Sequence, residues 1–250
     1  MRASDRAYLR LREDILDGAL PAGTLLGEVE QSLRLGVSRT PLREALTRLT
    51  ADRLITAHTG RGLVVTEIDE ARIRELFEVR QALEEQSARL AARRRLPGDF
   101  ESLRQEFRMA DQLLTATATD PGRRRYYDLV ARLDAAIDRA AGNPFLATTL
   151  DGVRTHVARI RRLAADNPER LREAAREHLL IVDAIVDGSE SLAAHATQLH
   201  LYRSLNSILA TLAARTTILA EPQTRVDTAE PHSAAHPVEL QPALSTQGTP

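Results

Sequence analysis

The sequence predicts a mainly α-helical chain, with an N-terminal winged helix-turn-helix followed by an antiparallel bundle of six helices. Three observations predict it. Leu, Ala, Arg and Glu dominate a chain with only 3% aromatic residues, a composition that favours helix. Residues 1–68 carry three short helix signals and then two strand signals around a glycine-rich tip. From Asp69 to about residue 219 the apolar spacing is helical, broken at regular intervals by Pro, Gly and Asn.

The first helix is expected over 5–17, anchored by Tyr8, Leu9, Ile15 and Leu16 and ended by Asp17-Gly18. A turn-rich link with Gly18, Pro21, Gly23 and Gly27 leads to a short helix over 28–34. Leu35-Gly36-Val37-Ser38 has the composition of a tight turn. Ser38 is placed to cap a third helix over 39–51, with Pro41 in the first turn, where its missing N–H costs little. Residues 54–57 and 63–66 read as strands joined by His58-Thr59-Gly60-Arg61-Gly62. The order of these elements is that of a winged helix-turn-helix.

Asp69 can cap a helix over 70–95, which Pro97-Gly98-Asp99 ends, and a second helix is expected over 100–117. Asp120-Pro121, Asn143-Pro144 and Asn167-Pro168 each pair a capping residue with proline at a helix start. They open helices over 121–141, 144–165 and 168–187. Gly188-Ser189 precedes the last helix, 190–219. Short loops make the helices antiparallel neighbours. Residues 221–250 are rich in Pro, Thr, Ser, Ala and Gln without apolar periodicity, and a disordered tail is expected. The expected domains are therefore 1–68, 69–220 and the tail 221–250.

The chain has no cysteine, which excludes disulfides and thiolate metal sites. No apolar run approaches the roughly 20 residues of a membrane span. The polar start, Met1-Arg2-Ala3-Ser4-Asp5, does not resemble a secretory signal, so a cytoplasmic protein is expected. The net charge of -1 gives no overall basic signal. Locally, residues 34–53 hold five arginines against Glu44 and Asp52, five minus two or +3. Such a patch can meet phosphate, although a solvated helix face has the same charge pattern.

Ser38, Arg39 and Thr40 fall at the N-terminus of the third helix, where unpaired N–H groups and the helix dipole favour an acceptor. Arg39 and Arg43, four apart, share a face, and arginine can bond guanine O6 and N7 together. The stretch Leu35-Gly36-Val37-Ser38-Arg39-Thr40-Pro41-Leu42-Arg43-Glu44-Ala45-Leu46-Thr47-Arg48-Leu49 resembles the recognition-helix signature of the GntR family. Residues 15–23 resemble that family's link between its first two helices, and Gly60-Arg61-Gly62-Leu63-Val64-Val65 resembles its wing. The resemblance implies that Arg39, Thr40 and Arg43 read bases or nearby phosphates. It places Ser38, His58, Gly60 and Arg61 against the backbone or minor groove, and adds Arg48 to the DNA-binding set. The alternative is that Ser38 only caps and Arg48 only solvates its helix. Many relatives carry an arginine where this chain has Val29.

Residues 69–84 resemble the opening helix of the FCD ligand-binding domain of the FadR-type branch of that family. Ala141-Gly142-Asn143-Pro144-Phe145-Leu146 and residues 177–185 are similar to later motifs of the same domain. Spacing adds a candidate of its own. Ile73, Leu76, Phe77, Arg80, Leu83, Ser87 and Leu90 follow the i, i+3, i+4, i+7 pattern, so Arg80 points inward. A buried guanidinium needs an anion: the carboxylate of a small organic-acid effector, or an internal glutamate.

His178 lies on an apolar stripe, Asp134 on the inner face of its helix, and His200 beside Leu201, Leu205, Ile208 and Leu212. Two imidazoles and a carboxylate from three helices suit Zn, Ni or Mn. Metal-binding FCD domains typically present an aspartate, a histidine four residues on, and two later histidines. His178 and His200 match the last two, while Val130 and Asp134 stand at the first two positions. The other readings are core histidines bonded to Asp134, or Asp134, His178 and His200 contacting the effector directly. His156 and His195 are expected on the surface or a helix face.

The expectation is a ligand-responsive regulator and not an enzyme, usually a repressor in this family. It would bind a double-stranded, palindromic operator as a homodimer. A metal-dependent enzyme on the helical domain, and a constitutive DNA-binding protein with a degenerate pocket, remain as alternatives.

Overall fold

A computed structural model describes residues 1–58, 60, 62–96, 98–115, 120–163 and 168–220. In the N-terminal part, α1 (Ala3–Leu16), α2 (Glu28–Leu35) and α3 (Arg39–Ala51) pack on a small sheet of β1 (Leu25–Leu26), β2 (Ile55–His58) and β3 (Gly62–Val65). The sheet is antiparallel in the order β1-β3-β2, with Ile55 opposite Val65 and Leu25 opposite Val64. One apolar cluster holds these elements together: Leu11 and Ile15 of α1, Leu42, Leu46 and Leu49 of α3, and Leu26, Leu54, Ile55 and Val65 around the sheet. The spacing 42, 46, 49 turns one face of α3 inward and leaves Arg39, Arg43 and Arg48 exposed.

The turn between α2 and α3 is closed by Gly36. Its φ of 62° is left-handed, and Val37 N–H bonds back to Ser32 O at 3.2 Å while Gly36 N–H bonds to Leu33 O at 3.3 Å. That is the helix-ending motif glycine makes cheaply. Asp14 and Arg34 tie α1 to α2 at 2.6 Å.

Seven helices follow among the described residues: α4 (Glu70–Arg94), α5 (Glu101–Arg108), α6 (Ala110–Thr115), α7 (Asp120–Ala141), α8 (Pro144–Leu163), α9 (Pro168–Val186) and α10 (Glu190–Ala220). The long helix α4 is the spine, packed against α7, α8, α9 and α10. Asp69 caps it, accepting from Arg72 N–H at 2.8 Å. Asn143 caps α8, accepting from Leu146 N–H at 3.2 Å. Alanines near the C-terminal end of α4 (Ala88, Ala91, Ala92) let its neighbours approach, with Phe100, Leu103 and Phe107 filling the space beside them.

Three expectations need correction. The helix expected over 100–117 is two, α5 and α6, broken at Met109, so the bundle has seven helices rather than six. Buried Leu103, Phe107, Ala110 and Leu114 keep helical spacing across the break, so the pattern does not reveal it. The sheet has a third strand, β1, too short at two residues to show alternation. The wing strands also sit one residue away from their expected positions. The tail expected over 221–250 lies outside the described residues.

Candidate nucleic-acid interface and ligand cavity

The first candidate surface is the outer face of α3 with the wing. Ser38, Arg39, Thr40, Arg43, Arg48, His58 and Gly60 are all exposed; Arg61 lies outside the described residues. Ser38 occupies the N-cap position with extended backbone, but its side chain makes no capping bond. The expected cap is therefore not formed. The N–H groups of the first turn stay open to an acceptor from outside.

The arginines differ in their surroundings. Arg39 makes no ion pair among the described residues. Arg43 is clasped by Glu28 of α2: both carboxylate oxygens lie 3.0 Å from Nε, and Oε2 lies 2.9 Å from Nη2. Arg48 turns back to α1, bonding Asp5 Oδ1 at 2.9 Å with its guanidinium carbon 3.8 Å from the centre of the Tyr8 ring. Tyr8 in turn donates to Asp52 at 2.6 Å. His58 faces Gly62 across the wing, and Gly60 at the tip has a φ of 75°.

The second candidate is a cavity inside the bundle of roughly 80 Å³. Arg80, Asp134, His178 and His200, from α4, α7, α9 and α10, all line it. The structure thus brings the four residues to one wall, but with partners other than those expected. Arg80 is buried and bonds Glu84 Oε1 at 2.7 Å; the internal glutamate is the partner it has. Burial pushes Glu84 up, yet Arg80 outweighs it and holds the carboxyl below its ordinary range. His200 donates from Nδ1 to Glu177 Oε2 at 2.8 Å, and His178 Nδ1 lies 3.0 Å from Tyr126 Oη. Neither histidine is bonded to Asp134, whose nearest basic partner is Arg154 at 3.5 Å.

Charge in this cavity follows from these contacts. Burial lowers the pKa of both histidines, His178 furthest, so both are neutral imidazoles. With Nδ1–H of His200 given to Glu177, its Nε2 is left as an acceptor. Burial raises Glu177, but hydrogen bonds from His200 and Arg170 hold its carboxyl down at about 2. Burial raises Asp134 to about 6 against the pull of Arg154.

Sequence reasoning missed several groups. Arg154 and Arg161 of α8 line the same cavity. Arg154 is bound to Asp138, but no carboxylate among the described residues pairs with Arg161, whose guanidinium lies 5.4 Å from the Tyr127 ring. The buried Ser87 hydroxyl also lines the cavity and has no hydrogen-bond partner among the described residues. The signal for α8 was its spacing: Leu150, Arg154, Val157 and Arg161 form one stripe. Glu177, flanking His178 and 2% exposed, carried no such signal.

The metal reading does not fit this arrangement. Among the described residues no three His, Asp or Glu side chains stand together as ligands. Arg80 and Arg154 are paired with Glu84 and Asp138, while Arg161 lines the same space without a carboxylate partner among the described residues, an unneutralised cation that disfavours a metal ion and favours an anion. Val130, buried in the wall, offers no donor where the resemblance expects an aspartate.

Helix α8 joins the two candidate sites. Its cavity stripe is backed by Thr155, His156 and Arg159, which meet the N-terminal part. Arg12 of α1 donates to Thr155 Oγ1 at 2.7 Å, His156 bonds the main chain of Asp52, and Arg159 donates to Thr66 O at 2.8 Å. His156 therefore lies on an internal contact, while His195 is exposed.

An exposed arginine-bearing helix beside a wing, joined to a helical bundle with an internal cavity, is the architecture of a DNA-binding transcription regulator. Residues 3–65 match the family described as bacterial regulatory proteins, gntR family, and residues 75–203 match the FCD domain. The chain belongs to the GntR family, in its FadR-type branch with an FCD domain. A probable D-xylose utilization operon transcriptional repressor of Paenarthrobacter nicotinovorans is 30% identical over 188 residues, 75% of this chain and 80% of that protein. The HTH-type transcriptional repressor RspR of Escherichia coli (strain K12) is 27% identical over 205 residues, 82% of this chain and 88% of that one. The structure of E. coli McbR/YncC shares the fold with a TM-score of 0.67 at 20% identity, covering 85% of this chain and 99% of that one. No helix among the described residues is long and apolar enough to cross a membrane.

Proposed function

We propose that the protein is a cytoplasmic, homodimeric repressor that leaves its operator when a small organic anion fills the cavity. The observation that carries this is the two-sidedness of α8. Arg154, Val157 and Arg161 line the cavity, while Thr155, His156 and Arg159 on the opposite face hold α1 and the base of the wing. A ligand that moves α8 therefore acts on the DNA-binding part through direct contacts.

On the DNA side, Arg39, Thr40 and Arg43 face base edges or the phosphates beside them. Ser38 and the first-turn N–H groups take a phosphate, and His58, Gly60 and Arg61 of the wing lie along the backbone or minor groove. Arg48 braces α3 on α1. On the ligand side, Arg161 takes the carboxylate. Arg80 stays with Glu84, Ser87 and His200 Nε2 bond the rest of the ligand, and Asp134 and His178 complete the wall. No metal takes part in this reading.

Genomic fragments retained by the full-length protein would be sequenced, and their release followed across a panel of small carboxylic acids. One acid should raise the unfolding temperature and weaken binding to the retained fragment. Retention of fragments no different from random DNA would remove the regulatory reading. Specific retention unaffected by every acid would leave only the constitutive one.

A further inference from the structure

We infer that Glu28 is a specificity-determining residue that fixes the Arg43 guanidinium to read one guanine in each half-site. The inference rests on α3 entering the major groove, as proposed above.

Arginine presents two edges. The side edge, Nε with Nη2, is occupied here: both oxygens of Glu28 lie 3.0 Å from Nε and one lies 2.9 Å from Nη2. The end edge, Nη1 with the outer hydrogen of Nη2, makes no hydrogen bond among the described residues, on a side chain that is 63% exposed. That edge carries the two parallel N–H bonds that match guanine O6 and N7. A guanidinium held in one plane before binding loses less freedom on docking and tolerates less error in its partner.

The charge argument favours a base over a phosphate. Arg43 holds the Glu28 carboxyl below its ordinary range, first through the hydrogen bond between them. The pair is therefore carboxylate and guanidinium together, with no net charge. A neutral pair gains little from the polyanionic backbone, and its carboxylate is repelled by phosphates. Arg39, four residues earlier on the same helix face, has no such partner among the described residues and keeps its full charge for the backbone. Glu28 is itself anchored, since it is the first residue of α2 after the N-cap Gly27, where the helix dipole favours a carboxylate. Val29 beside it is apolar and 55% exposed, so α2 supplies no second base-reading cation there.

The test uses the full-length protein and a library of duplexes randomised over the binding site. Wild type should select a motif with a fixed guanine in each half-site. Glu28→Gln and Glu28→Ala should lose discrimination at that position by about tenfold or more, the size of one good bidentate contact. They should hold or gain affinity for random duplex and steepen its salt dependence. Placed on Arg43→Ala, Glu28→Ala should change discrimination at that position no further. Full discrimination in both Glu28 variants would overturn the inference. So would a Glu28 effect on discrimination at that position that persists without Arg43, since Glu28 would then touch a base itself. If wild type selects no motif at all, the DNA-binding reading fails first, and that result is distinct from either.

Discussion

Arg159, buried in α8, donates to the main-chain oxygen of Thr66 at 2.8 Å, and Thr66 fastens the base of the wing. Thr66 N–H bonds Leu54 O at 3.0 Å and its hydroxyl bonds Arg53 O at 2.9 Å. One residue thus gathers both ends of the wing and hands them to the helix that walls the cavity. Arg159→Ala should cost about 1–3 kcal/mol, because the buried Thr66 carbonyl loses its donor and a void is left. Operator affinity should then respond less to the ligand, although each site still binds its own partner. Calorimetric unfolding and operator titration with and without ligand read the two effects. A full ligand response in the variant would show that coupling runs elsewhere.

Arg80 and Arg161 share the cavity and should behave differently when removed. Arg80→Ala leaves Glu84 buried without its cation, a loss of roughly 3 kcal/mol. Arg161→Gln breaks no carboxylate pair among the described residues and should be nearly neutral for stability. It should nonetheless abolish the thermal shift that an organic acid gives the wild type. Equal ligand shifts in wild type and Arg161→Gln would move the anchor back to Arg80.

Arg48 should act on the fold rather than on DNA sequence. Its bond to Asp5 and its place over Tyr8 are both on the surface, so Arg48→Ala should cost about 0.5–1 kcal/mol. Base preference in a duplex selection should not change. A shift in the selected motif would return Arg48 to the DNA-reading set.

Much of this was legible in the sequence where one rule governed an element. Helix starts at Glu70 and Pro144 follow from Asp69 and Asn143, whose side chains accept the expected N–H bonds. The inward faces of α3, α4 and α9 follow from spacing, and so does the meeting of Arg80, Asp134, His178 and His200 at one wall. Pairing is where the reading ran out. Spacing says that Arg80 and His200 point inward, but not that Glu84 and Glu177 already occupy them. Those carboxylates sit four residues along α4 and on a neighbouring helix, and only the packed bundle selects them from the many acids present. The break at Met109 was invisible because the apolar phase runs through it. Ser38 sits where a cap belongs, yet its side chain makes no capping bond, as an exposed helix start with water at hand allows.

Gly36 is a backbone position rather than a packing one. A Cβ there would meet no heavy atom within 4 Å, but the φ of 62° remains left-handed. Gly36→Ala should therefore cost about 1 kcal/mol through the backbone alone. The α2–α3 angle depends on this turn, so operator affinity should fall more than stability does. Chemical denaturation with operator titration separates the two. An unchanged denaturation midpoint would show the turn relaxing out of the left-handed region.

Asp134 should make the affinity of a cavity ligand depend on pH. Its carboxyl is raised from 3.8 to about 6, first by burial, with Glu84 also raising it and Arg154, Arg161 and Arg80 opposing. An acid whose folded pKa is raised adds stability that is full below its unfolded value and lost as pH rises through the folded one. Wild type should thus lose stability relative to Asp134→Asn between about pH 4 and 7. The loss should be on the order of 1 kcal/mol, since 34% of the side chain meets water. His178 and His200, lowered by burial, act oppositely as pH falls below 6.5, so the comparison must be made against the variant at each pH. The same proton adds one positive charge to the cavity. An organic anion should bind wild type more tightly at pH 5.5 than at 7.5, and Asp134→Asn with a flatter profile. Parallel profiles in isothermal titration would mean that Asp134 does not face the ligand.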